Sequence, residues 1–414
     1  MAQQSRKTLG DLGLDMFDPE AIANPHHFYA RLREEAPIIW SEQNKAWVLS
    51  RYEDVRRVLR NPEQFSSRLL GSEESELIGR TDIVLETVAP TGTLSMVSAD
   101  RPDHTRLRKL VSMDFTPNKL ERMRPRIQSI TDELLRGVSD REQFDIAHEL
   151  AEPLPVTVIA ELLGIPSELG AQFKRWSDAA TTPIPPDATD ERVLARNAQI
   201  IEFRTYLQAQ IKDRHANLTD DFIGRLVAAH DEEDKLTDDE VLAGVELLLI
   251  GGNETTTNLI SNAVLALARF PDRQAELREH PELIDAAIEE FLRYDGSIQF
   301  TLREVTQPTE FYGQIVEAGE NVVILLASAN RDAGVFKDPD TLDFHRPKAK
   351  HLGFGDWIHI CLGQFLARIE TRAALLGVLQ EYPQFELAIP EEEIIYRSNF
   401  NFRGPSYLPI RLSA

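Results

Sequence analysis

Cysteine is all but missing: Cys361 is the only one in 414 residues. A lone thiol excludes an internal disulfide and any multi-cysteine zinc or iron–sulfur site, so its chemistry is that of one sulfur. Long apolar runs are missing too. The longest, residues 245–250 and 322–327, fall far short of the roughly 20 residues a membrane-spanning helix needs. Positive charge is in deficit, with 45 lysines and arginines against 68 acidic residues and a formal net charge of −23. That balance argues against general nucleic-acid binding, which needs a basic face. Met1 to Lys7 lack the apolar core of a signal or anchor, and residues 1–23 read as a polar tail. One cysteine and no export signal make a reducing cytoplasm the expected address.

Hydrophobic residues make up 42% of the chain, which suits a globular protein with a substantial core. Helical periodicity dominates. Asn24-Pro25 opens a helix near residues 26–35, residues 38–40 and 46–49 read as a two-stranded ribbon, and Tyr52 to Arg60 form another helix. Residues 69–97 lack periodicity and read as a long loop with room for one helical turn, of a length that is usually functional or disordered. Helical stretches are expected over 104–115, 117–138 and 148–163. A Thr/Pro/Asp-rich break over 178–191 then joins two helices. Thr237 and Glu240 form a capping box at the head of a long apolar helix that Phe270-Pro271 ends. Residues 281–294 are helical, and short strands are expected near 311–312, 315–316, 322–326 and 407–412. No repeat or linker divides the chain. The expected fold class is mostly α with a smaller β-rich portion, in one domain over residues 24–414.

Three patterns carry chemistry. The first is Phe354-Gly355-Asp356-Trp357-Ile358-His359-Ile360-Cys361-Leu362-Gly363, ahead of a helical pattern over 364–381. A free cysteine is most often a small buried hydrophobe. Here, flanking glycines admit a bulky group and the following helix N-terminus favours a thiolate, which an iron ligand requires. The second is Gly251-Gly252-Asn253-Glu254-Thr255-Thr256 inside the long helix. Two adjacent glycines cost about 1 kcal/mol each in a helix interior, so a local widening or a close approach is expected. The third, Glu290-Phe291-Leu292-Arg293, puts a carboxylate and a guanidinium one turn apart, which on a solvated face is an ordinary pair.

The cysteine segment resembles the haem-binding loop of the cytochrome P450 family, with Phe354, Gly355, His359, Cys361 and Gly363 matching. One position departs: where the family has glycine, this chain has Trp357, either turned outward or packed beside the haem edge. The resemblance, from about Asn24 onward, implies the P450 fold, haem b with Cys361 as axial iron ligand, and a soluble monomeric monooxygenase. By the same resemblance Glu254 and Thr255 are the acid and alcohol of proton delivery, Glu290, Arg293 and Arg346 form a structural triad, and His104, Arg108, Arg303 and His359 meet the haem propionates.

Family position further implies a substrate pocket drawn from Met96, Val97, Leu247, Ile250, Gly251, Gln299, Thr301, Phe400 and Phe402. An apolar terpenoid, steroid, fatty acid or polyketide fits it. Molecular oxygen is the co-substrate, and ferredoxin with ferredoxin reductase the implied electron source. The expected docking face is Arg106, Arg108 and Lys109 together with Arg368 and Arg372. A peroxide-driven peroxygenase and a haem sensor or carrier without turnover remain as alternatives; the acid–alcohol pair weighs against both.

Overall fold

The computed structural model describes residues 6–16, 18–68, 95–181, 188–228, 236–347, 350–397 and 401–412. Among the described residues, nine helices frame the site: α1 (Tyr52–Arg60), α2 (Asp103–Ser112), α3 (Arg124–Arg136), α4 (Pro153–Leu163), α5 (Gly170–Thr181), α6 (Asp190–Ala216), α7 (Asp238–Arg269), α8 (Ile284–Asp295) and α9 (Gln364–Glu381). The α7 helix is the spine. Its capping box is formed as the sequence predicts, with the Thr237 side chain accepting from the Glu240 N–H and the Glu240 carboxylate returning the bond. It packs against α4, α5, α8 and α9, burying Leu259, Ile260, Ala263, Val264 and Leu267 in the main core.

Strands β1 (Ile38–Ser41), β2 (Ala46–Leu49), β3 (Phe65–Ser66), β4 (Phe300–Val305) and β5 (Asn321–Leu325) build one sheet in the order β1-β2-β5-β4-β3. The ribbon pairs Ile38 with Leu49, and β2 runs parallel to β5 with Ala46 opposite Asn321. Smaller sheets join Thr309–Phe311 to Gln314–Val316, and Gln143–Asp145 to Pro409–Leu412 and Phe385–Leu387. Among the described residues, no helix is long and apolar enough to cross a membrane.

Three expectations need correction. Residues 6–16 and 18–23 are not a tail: Thr8 bridges to Trp40, Leu9 and Met16 are buried, and a short helix over Pro19–Ala23 is capped by Asp18. The apolar residues Leu9, Leu12, Leu14 and Met16, spaced among polar ones, give that segment a face to bury. The stretch 117–138 is split into Pro117–Glu121 and α3, where Pro125 in the first turn of α3 needs no hydrogen-bonded N–H. Likewise 148–163 is a π-turn over Ala147–Ala151 followed by α4, which Pro153 begins.

Candidate functional site

Cys361 lies between a one-turn 3-10 helix, Trp357–His359, and the start of α9. Its N–H donates to the Phe354 carbonyl (2.9 Å), closing the loop, and Gly355 takes a left-handed φ of 70°. A Cβ added at Gly363 would meet nothing within 4 Å. Burial pushes the Cys361 thiol up, opposed by the N–H groups of Gly363 and Gln364 and by the charges of Arg108 and Arg368. Those donors favour the thiolate, the form that binds a metal. Phe354 is partly buried against the core, with the Arg368 guanidinium 4.5 Å from its ring centre.

Beside this loop the structure gathers the four groups expected at the propionates. The rings of His104 and His359 lie 4.2 Å apart, and burial followed by Arg303, His104 and Arg108 holds His359 down at about 3. Arg303 is 7% exposed and lowered to about 10 by burial; its guanidinium donates to the Thr301 hydroxyl and the Leu302 carbonyl. Arg108 donates to the Ile360 carbonyl (2.6 Å), tying α2 to the cysteine loop. His104 Nε2 is buried with no hydrogen-bond partner among the described residues. The neighbouring acid, Asp100, accepts from Ser66 and from the Ser67 N–H. The guanidiniums of Arg303 and Arg108, with no carboxylate salt bridge among the described residues, and the two uncharged imidazoles beside them fit a cofactor that brings its own carboxylates, as haem b does. Sequence reasoning missed Ser67, whose hydroxyl lies 3.0 Å from His359 Nε2; an isolated serine so far away in the chain gives no signal.

On α7 the two glycines do different things. A Cβ on Gly252 would fall 2.6 Å from Ile159 of α4, so this glycine permits close helix packing, whereas at Gly251 a Cβ would meet nothing within 4 Å. The helix stays α throughout, without a π-bulge; the Thr255 hydroxyl donates to the Gly251 carbonyl (2.6 Å). Glu254 is 6% exposed, and burial raises it to about 7, moderated by Arg397. A carboxyl poised there gains and loses a proton near neutrality.

Of the expected pocket residues, Val97 and Ile250 are exposed, and Met96, Leu247, Thr301 and Phe402 are half-buried. Phe400 lies outside the described residues. Gln299 is corrected from lining to strut. It is 1% exposed, its amide accepts from the Tyr29 hydroxyl (3.1 Å) and donates to the Gly296 carbonyl (2.8 Å), and its backbone N–H donates to Asn401. Glu290, Arg293 and Arg346 meet in one buried cluster: Arg293 is bidentate on Glu290 (2.7 and 2.8 Å), and Arg346 Nε lies at 3.1 Å. Arg293 also donates to the carbonyls of Asn330, Pro339 and Thr341, pinning that segment to α8.

Trp357 turns outward. It is 51% exposed, in the left-handed region at φ 61°, a backbone state that costs a side-chain-bearing residue roughly 1–2 kcal/mol. Buried Asp356 takes the Trp357 N–H (2.8 Å) and pairs with Arg60 (2.8 Å), Lys350 and Arg56 (3.8 Å). Arg106 pairs with Glu240, Arg368 with Glu289 (2.6 Å) and Arg372 with Asp285 (2.5 Å), while Arg108 points inward.

Residues 186–401 match the family model described as Cytochrome P450. The vitamin D(3) 25-hydroxylase of Pseudonocardia autotrophica is 37% identical over 409 residues, covering 98% of each chain. The solved structure of the bacillaene polyketide synthase cytochrome P450 PksS from Bacillus subtilis superposes with a TM-score of 0.87 at 33% identity, over 97% of this chain and all of that one. CYP109E1 from Bacillus megaterium, solved with corticosterone, gives 0.84 at 35% identity over 95% of this chain and all of that one.

Proposed function

This chain belongs to the cytochrome P450 family, a monooxygenase family that works with haem b, and from that premise we propose that it hydroxylates a bulky apolar small molecule of the steroid or polyketide class. Relatives named for vitamin D(3) and for a polyketide synthase, and one solved with corticosterone, support the substrate class. So does the apolar character of Met96, Val97, Leu247, Ile250 and Phe402. When bound, the haem supplies the activation of oxygen and its insertion into a C–H bond. Cys361 would hold the iron, and His104, Arg108, Arg303 and His359 would receive the propionates. Glu254 takes up and releases a proton at its carboxyl, and the Thr255 Oγ1, tethered to Gly251, passes it on. Electrons come from a ferredoxin and its reductase, and the enzyme works as a cytoplasmic monomer in one domain.

The observation that carries this reading is the pairing of buried Arg303 and half-buried Arg108, neither with a carboxylate salt bridge among the described residues, beside a lone cysteine whose sulfur faces two backbone N–H groups. In the test, reduced protein under carbon monoxide shows the red-shifted band of a thiolate-ligated haem, and Cys361→Ser loses it. Corticosterone and a macrolactone are then titrated for the spectral shift of displaced axial water. A Cys361→Ser protein that keeps both band and turnover sinks the ligand assignment; no shift with either compound sinks the substrate class.

A further inference from the structure

Ser297 lies in the short link between α8 and β4, buried, and touches the relay on one side and the pocket on the other. Its hydroxyl donates to the main-chain carbonyl of Thr255 on α7 (2.6 Å), and its own carbonyl accepts from the N–H of Arg403 (2.8 Å). A carbonyl inside a helix already has its donor four residues on, so the serine adds a second hold on Thr255 and does not satisfy an orphan. The C-terminal turn that carries half-buried Phe402 is fixed to the same link. Ile298 bridges to Phe402, the Gln299 N–H donates to the Asn401 carbonyl (2.8 Å), and the Arg403 guanidinium donates to Asp295 (2.6 Å) and to the Ala23 carbonyl (2.7 Å). Asn262 of α7 gives its amide to the carbonyls of Asp295 and Arg403, both at 3.0 Å, and a Cβ on Gly404 would fall 2.3 Å from Asn258. The turn therefore lies against α7. From it to Thr255 the path is two hydrogen bonds, and Ser297 makes both.

We propose that Ser297 is a positioning residue that couples filling of the pocket at Phe402 to proton delivery at Thr255. A substrate pressed against the turn shifts the link between α8 and β4, and the Ser297 hydroxyl carries the shift to the Thr255 main chain, setting the aim of an Oγ1 that otherwise rests on the Gly251 carbonyl. The inference rests on the monooxygenase reading above and deepens it: it supplies the means by which the relay tells a filled pocket from an empty one. No covalent bond forms or breaks in this step. A ligand shifts an equilibrium only through contacts that differ between the two states, and here the differing contact is at Phe402. A hydroxyl that merely found an acceptor for itself would leave the coupling of electron use to product indifferent to its loss.

The test uses the haem-loaded protein with NADPH, a ferredoxin and its reductase, and corticosterone as the probe. Ser297→Ala removes the hydroxyl but keeps the carbonyl that holds Arg403, so the turn stays in place. With corticosterone bound, the share of reducing equivalents released as hydrogen peroxide is expected to rise about threefold while Kd stays within about twofold of wild type, and Ser297→Thr restores the wild-type share. Hydrogen exchange read by mass spectrometry is the second measure. Peptides over 251–259 are expected to exchange about threefold faster in ligand-free Ser297→Ala, and the slowing that corticosterone brings there in wild type is lost. An unchanged peroxide share overturns the proposal, as does a rise that Ser297→Thr does not reverse, or a changed Kd with coupling intact. Thr255→Ala run alongside keeps the readings apart: if it uncouples and Ser297→Ala does not, only the joint falls, and if neither uncouples, the relay falls and takes the joint with it. If the carbon monoxide band is absent, the monooxygenase reading falls and the joint with it. If corticosterone gives no shift in wild type, the substrate class falls and exchange over 251–259 decides the joint: wild-type exchange in Ser297→Ala overturns it.

Discussion

Glu290 and Glu254 are buried to almost the same degree, 5% and 6% exposed, yet their surroundings have nothing in common. On α8, Glu290 meets two guanidiniums and the Asp343 N–H (2.9 Å), so both oxygens have donors and the carboxylate is a fixed strut. On α7, burial raises the proton affinity of Glu254, and among the described residues Arg397 is the one charge opposing it. Further along the same helix, Thr257 Oγ1, Ser261 Oγ and both amide atoms of Asn258 are buried with no partner among the described residues. One region spends its polar groups on rigidity; the other keeps them uncommitted. Burial alone therefore does not tell a scaffold carboxylate from a working one; the count of donors does.

The sharpest way to break this contrast is Glu290→Ala. Removing one partner of a buried ion cluster leaves two guanidiniums uncompensated, and the expected loss is on the order of 3–5 kcal/mol in urea unfolding. A loss below about 1 kcal/mol would mean the triad is no strut. Glu254→Gln should move stability the other way. The folded carboxyl, raised to about 7, keeps its proton while the unfolded one ionises near 4.5, so the native state is penalised as pH rises through that window. At pH 8 the glutamine variant is expected to be more stable by up to about 3 kcal/mol. The gap should close below about pH 4.5, as read from melts across pH. A gap that is flat with pH would mean that folding leaves the Glu254 carboxyl unshifted, and a gap of opposite slope would place it in an ion pair.

Thr255→Ala is expected to leave stability within about 1 kcal/mol and substrate Kd unchanged. It should raise severalfold the share of reducing equivalents appearing as hydrogen peroxide, since the loss is in proton delivery and not in the pocket. Unchanged coupling of electron use to product would remove the hydroxyl from the relay.

The chemistry-bearing segments are legible in the sequence because each packs its signal into a few consecutive residues. The cysteine loop, the capping box of Thr237 and the extents of α1 and α9 are of this kind. What could not be read is pairing over long separations. That Arg106 belongs to Glu240 and Arg368 to Glu289 is decided by helices laid side by side, and a run of arginines looks free until its partners are in place. Gln299 misled for the same reason: Tyr29, which commits its amide, lies 270 positions away. The orientation of Trp357 depends on Asp356 being drawn inward by Arg60 and Lys350, again a tertiary outcome.

The parallel pairing of β2 with β5 sets a timetable for synthesis. Ala46 to Leu49 leave the ribosome roughly 270 residues before Asn321 to Leu325, the strand that completes their sheet. At about 5–20 residues per second, the ribbon waits on the order of 15 to 50 seconds with a hydrogen-bonding edge unfilled. Trp47, Val48 and Leu49, all buried in the finished protein, lie along that edge. The nascent chain is thus most exposed to misassembly at its beginning, and the core around Trp47 closes only after three-quarters of the polypeptide has been made.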